Sequence, residues 1–247
     1  ETTRLRFAAL VGRVLGPTRD RLKLRATGKG ETSATALLRV DVLAALFDLA
    51  GDGQVVRALA PWGKVYFDDP LAAQKVIAPD LGPLAARIAV ATDKAFAESL
   101  DAAVLAAAKT PDHRVALTVA IASRRDPAAL RAALDLLRSG SIRAGDVRHV
   151  KSAVSARPAA RAVFHAWAAE HFDELAQKLG GAGTLSSTIG WACGDEPGAL
   201  TLAKAVQTRL DKLEGARRGF EEGSDESARC GAVRARESQA FAGALKK

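Results

Sequence analysis

The chain states plainly where its helices begin and end. Asp69-Pro70, Thr110-Pro111 and Asp126-Pro127 each set a capping side chain before a proline at the first helical position. Pro158 and Pro197 are expected to open helices in the same way. Gly51, Gly140, Gly180 and Gly181 supply the backbone freedom that a helix end needs. Between these marks the apolar residues recur at helical spacing. Leu130, Leu134 and Leu137 share a face after Asp126, and Val147, Val150 and Val154 do so behind the expected cap Asp146. Phe164, Ala168, Leu175 and Leu179 line one longer helix after Pro158. Segments 37–50, 55–67, 84–91, 96–108 and 115–122 repeat the pattern earlier in the chain.

An all-α protein follows. The chain is rich in alanine, the best intrinsic helix former, and only 5% aromatic, with few β-branched runs that would mark strands. About a dozen helices joined by short loops favour antiparallel neighbours. The expected architecture is an α-solenoid of helix pairs, a HEAT- or armadillo-like superhelix whose concave side receives partners. Residues 1–247 are taken as a single helical-repeat domain, with the polar, glycine-containing stretch 214–226 breaking the pattern before a last helix. The chain starts at Glu1 and contains no methionine, which suggests a piece of a longer protein or a processed form.

The net charge of +8 invites a nucleic-acid reading, but the basic residues are scattered rather than striped, so that reading is not favoured. No apolar run reaches the roughly 18 residues of a membrane span. The two cysteines, Cys193 and Cys230, fit neither a zinc site nor a disulfide framework and are expected as small, inert, buried thiols; they leave the compartment open, with the cytoplasm favoured.

Candidates for chemistry are few. His165 and His171 are too far apart for a His-Glu-x-x-His zinc helix, and Glu170 precedes its histidine instead of following one. Ser186, Ser187 and Thr188 have no histidine or acid at a triad spacing. The run 180–184, Gly-Gly-Ala-Gly-Thr, lacks the lysine of a phosphate loop and reads as a helix–helix connection. What remains is a set of basic side chains near helix ends, among them Arg124, Arg125, Arg143, Arg148, Lys151, Arg157 and Arg161. Most are expected to be solvated or paired with Asp126, Asp135 and Asp146.

The order of pieces in residues 123–181 resembles the C-terminal helical domain of the aminopeptidase N family, the gluzincin group that includes the puromycin-sensitive and endoplasmic-reticulum aminopeptidases. The resemblance rests on "DPAALRAALDLL", "LRSGSIRAGDV", the proline-led "RPAAR" and "FDELAQKLGG"; "SARCGAVRARESQAFAGAL" is similar to the terminal helix of that domain. The chain departs from the family at His165 and Phe172, where members carry tryptophan, and at Trp167, displaced by two positions.

The resemblance implies a non-catalytic capping domain. Zinc, its His-Glu-x-x-His helix and the strand that grips the substrate amine would belong to a preceding catalytic domain. The partners implied are that domain and peptide substrates, with no membrane. Family members place basic residues near positions 123–124 and 156–157 to hold a peptide's C-terminal carboxylate, which makes Arg124 and Arg157 the candidate substrate-binding residues. The alternative is a freestanding helical-repeat scaffold that binds protein or DNA.

Overall fold

The computed structural model describes residues 2–24, 31–178 and 181–246, which hold fifteen α-helices, a few short 3-10 or π turns and no strand. The chain divides into two compact units, Glu1–Ile121 with Ala242–Lys247, and Ala122–Phe241.

The first unit contains α1 (Thr2–Leu22), α2 (Ser33–Ala45), α3 (Gly53–Asp68), α4 (Pro70–Gln74), α5 (Gly82–Thr92), α6 (Lys94–Ser99), α7 (Ala102–Ala106) and α8 (Pro111–Ile121). The expected caps operate: the Asp69 carboxylate accepts from the N–H groups of Leu71 and Ala72, and Thr110 Oγ1 from that of His113. Gly51, with φ of 64°, ends the π turn Leu46–Ala50 that extends α2. The expected helix over 96–108 is two short helices instead. It breaks at buried Leu100, after which Asp101 caps α7 through the N–H of Ala103.

The core of this unit is built by Leu43, Leu46, Phe47, Val55, Leu59, Leu81, Leu84 and Ile88. Helices α3 and α5 run antiparallel at very close approach. A methyl group added at Gly63 would stand 2.0 Å from the Ala85 carbonyl oxygen, and one at Gly82 2.2 Å from the Tyr66 ring.

The second unit contains α9 (Pro127–Arg138), α10 (Val147–Ser155), α11 (Pro158–Glu170), α12 (Phe172–Lys178), α13 (Ala182–Ser186), α14 (Pro197–Gln207) and most of α15 (Ala216–Ala244). Asp126 caps α9 at the N–H of Ala129, 2.8 Å, and Gly140 turns the chain at its end with φ of 83°. The apolar faces are the expected ones: Leu130, Leu134 and Leu137 on α9, and Val147, Val150 and Val154 on α10, are all buried. Asp146 differs from expectation; it ends a 3-10 turn, Ala144–Asp146, and makes no side-chain capping bond to α10.

Two further expectations are corrected. The single long helix after Pro158 is broken at His171, and Trp167 and Ala168 before the break and Phe172 and Leu175 after it are all buried in the core. Leu179 and the stop expected at Gly180 lie outside the described residues. The stretch 214–226 is no break, because from Ala216 it forms the first turns of α15, the longest helix of the chain. Gly215, Gly219, Gly223, Ser227 and Gly231 fall every fourth residue and so line one face. The segment 183–194 runs along that face in the same direction, with Gly183 against Gly215 and Gly219, Ser187 and Gly190 against Gly223, and Gly194 against Gly231. Any side chain at Gly219 or Gly223 would collide with the backbone opposite.

Candidate functional site

The residues singled out for substrate contact meet where the chain passes from residue 122 into α9 and from α10 into α11. Arg157 is the residue that precedes α11, and its guanidinium turns back on this corner. Nε donates to the Ala153 carbonyl at 3.0 Å, Nη1 to those of Ser123 and Arg124 at 3.0 Å each, and Nη2 to that of Ala122 at 2.7 Å. One planar fork thus gathers carbonyls from two stretches of backbone, a task for which guanidinium is suited by its fixed array of donors. Arg124 is almost entirely buried and donates through Nη1 to the Ala129 carbonyl at 2.9 Å. Burial pushes its guanidinium below the ordinary arginine value. The structure therefore brings the two candidates to one corner, with Arg157 bound to the backbone of Arg124.

One turn further along α11, Arg161 meets Glu196, the residue before α14. Nη2 and Nε donate to its two carboxylate oxygens at 2.8 and 3.3 Å, while Nη1 donates to the Ser155 carbonyl at the end of α10. Glu196 also accepts from the backbone N–H of Cys193 at 3.2 Å. Burial alone would raise the Glu196 carboxyl. The hydrogen bonds from Arg161 and Cys193, with the charges of Arg161 and Arg234, outweigh it and hold the group below the usual glutamate value. Sequence reasoning passed over this pair, because nothing local links positions 161 and 196. The only hint was a glutamate directly before Pro197.

His165 is fully buried between Phe164 and Trp191, and its Nε2 lies 2.9 Å from the Thr188 carbonyl. A carbonyl can only accept, so Nε2 carries the proton. Desolvation pushes the imidazole below its ordinary value, against the pull of the Thr188 carbonyl. His171 lies beyond the break in the helix, where its Nε2 stands 3.5 Å from Arg138 Nη1. Among the described residues no group of three or more His, Cys, Asp or Glu side chains is placed to hold a metal ion.

The hydroxyls of Ser186, Ser187 and Thr188 each donate to a carbonyl three or four residues back, those of Ala182, Thr184 and Leu185. They complete helical turns, and no base stands against them in these bonds. Of the run 180–184, Gly181 with φ of 106° makes the expected connection, whereas residues 182–184 already belong to α13. Asp126 caps a helix, and Asp135 accepts from Trp167 Nε1 at 3.0 Å and from Arg138 at 3.3 Å.

Cys193 and Cys230 overturn the expectation of two inert thiols, since they form a disulfide. The pairing follows from the parallel run of α15 beside 183–194, which sets residues about 36 positions apart side by side.

A family model described as ERAP1-like C-terminal domain matches residues 1–229, so the chain belongs to that family. A search of curated proteins finds no match.

Proposed function

We propose that this ERAP1-like C-terminal domain caps a zinc-dependent aminopeptidase: it encloses the chamber in which peptides are held and leaves the chemistry to a preceding catalytic domain. The family match over residues 1–229 is the observation that carries this reading. In it the helices stack as a HEAT-like superhelix within one domain, the zinc resides in the catalytic domain, and the partners are that domain and peptide substrates. Neither a membrane nor a nucleic acid has a part in it.

Exposed apolar side chains are concentrated on the first unit, which supports a covered surface there. Leu5 and Val14 on α1, Leu37 and Leu38 on α2, Leu49 and Leu71 are all about half or more exposed, against three such residues among the other described residues. Arg157 and Arg124 enter the reading with an altered part. Since the Arg157 fork already holds the carbonyls of residues 122–124, the two arginines would shape the corner that meets a peptide's far end.

The test is kcat/KM of the parent enzyme on peptides of increasing length, with and without the capping domain and with Arg157→Ala. Loss of length discrimination on removing the domain is the expected result, and Arg157→Ala should weaken long peptides and spare dipeptide-sized ones. Identical length profiles with and without the domain would reject the capping role. Equal loss at all lengths would confine Arg157 to folding.

A further inference from the structure

We infer that the Cys193–Cys230 disulfide is a reducible clasp, opened by thiol–disulfide exchange with dithiols, that decides whether the part of α15 from 228 to 240 is held as helix. The inference stands apart from the capping role. It rests on where the pairing sits.

Between Ala216 and Phe241, burial on α15 comes from Ala216, Gly219, Gly223 and Ser227, whereas residues 242–247 group with the first unit. From Ala232 to Phe241 every residue is exposed. The last ties between α15 and the 192–196 loop lie within one turn of this limit. The Gly194 N–H donates to the Ser227 carbonyl at 3.0 Å and Ser227 Oγ donates to the Gly194 carbonyl at 3.2 Å. Next comes the disulfide, then the bare contact of Gly231 with Gly194, where a methyl group at 231 would stand 3.0 Å from the Gly194 Cα. The exposed helical segment 232–240, which follows Gly231, has little intrinsic stability, because helices of this length in water are marginal even in alanine-rich sequences. The covalent tie is therefore the strongest contact at the point where the helix leaves its support. It also lies at the edge of the family match, which ends at residue 229, one position before Cys230.

The chemistry of opening is favoured by the surroundings. Cys230 is exposed and Cys193 half-buried, so an incoming thiolate reaches the Cys230 sulfur first. Its attack forms a mixed disulfide and expels Cys193 as thiolate. Arg234, one turn beyond Cys230, brings Nη2 within 3.9 Å of where a side chain at Gly194 would begin, and its charge is felt at Glu196. A guanidinium so placed would offset the Glu196 carboxylate that accepts from the Cys193 N–H and ease departure of the thiolate, and better leaving thiolates speed exchange. The second thiol of the reductant then attacks the mixed disulfide and releases Cys230. The dithiol becomes a cyclic disulfide, having given two electrons, and its two protons end on Cys193 and Cys230. In an oxidising compartment the clasp stays closed, whereas in a thiol-buffered one it opens.

Amide hydrogen exchange read by mass spectrometry, before and after treatment of the native protein with dithiothreitol, tests this. Exchange in peptides from 228–240 should rise at least about tenfold, while peptides from α11 and α14 keep their protection. Cys193→Ser in oxidising buffer should match the reduced wild type, and Arg234→Gln should slow reduction several-fold. Unchanged exchange in 228–240 after reduction would overturn the clasp. So would an equal rise across α11 and α14, reduction that proceeds only in denaturant, or two free thiols titrated in the native oxidised protein. An unaltered reduction rate in Arg234→Gln would remove Arg234 from the mechanism.

Discussion

Arg161 and Glu196 are joined at two points, 2.8 and 3.3 Å, in a pair shielded enough that neither side chain exposes more than a fifth of its surface. The third donor of Arg161 closes α10, so α10, α11 and the start of α14 share one anchor. Removing one partner leaves a poorly hydrated charge, and Arg161→Met should cost about 3 kcal/mol in urea unfolding. The double variant Arg161→Met with Glu196→Gln should recover part of that loss. Because the folded Glu196 carboxyl titrates below its ordinary 4.5, its contribution is complete above pH 4.5 and is lost as pH falls through the lower folded value. Glu196→Gln should flatten that part of the acid limb.

His165 predicts a second loss at milder pH. Its imidazole is depressed below 6.5 by burial, so below pH 6.5 the unfolded chain takes up a proton that the folded chain refuses. Stability due to this group is complete above 6.5 and falls as pH drops from there toward the folded value. His113, also depressed by burial, acts in the same sense in the first unit. His165→Gln keeps an N–H donor for the Thr188 carbonyl without titrating. Its midpoint in urea should vary less between pH 7.5 and 5 than that of the wild type.

Arg157→Ala removes donors from four carbonyls at once and should cost about 2–4 kcal/mol. Arg157→Lys should rescue little, since an ammonium offers a point charge in place of a planar fork. Chemical denaturation of the three proteins checks both statements.

Glycine substitutions should divide by partner rather than by helix. Gly12, inside α1, has nothing within 4 Å of an added methyl group, and Gly12→Ala should stabilise by about 0.5–1 kcal/mol. Gly219→Ala would place its methyl 2.1 Å from the Gly183 carbonyl oxygen and should destabilise by about 3 kcal/mol. Thermal melts of the two variants separate the cases directly.

Much of the fold was legible because its signals are local. Asp69, Thr110 and Asp126 bond to N–H groups two or three residues ahead, and Gly51 and Gly140 adopt conformations their own geometry permits. Apolar spacing on α9 and α10 likewise needs only the helical period to be read. Of the candidate site, the two arginines at a helix junction were visible. What their guanidinium groups bind was not.

Residues 214–226 mark the boundary between the two kinds of information. Taken alone, glycine at every fourth position lowers helix propensity and looks like a break. Set beside 183–194, the same glycines let two backbones meet, and the packing repays the propensity lost. Sequence by itself determined where five of the helices start, at Pro70, Pro111, Pro127, Pro158 and Pro197, and which faces of α9 and α10 are apolar, since those follow from interactions within about four residues. Only the tertiary structure decided that Cys193 meets Cys230, that Arg161 meets Glu196 and that the Arg157 fork is filled with carbonyls. Each of these depends on which surfaces, more than thirty residues apart in the chain, can come close without collision, and no residue type carries that information by itself.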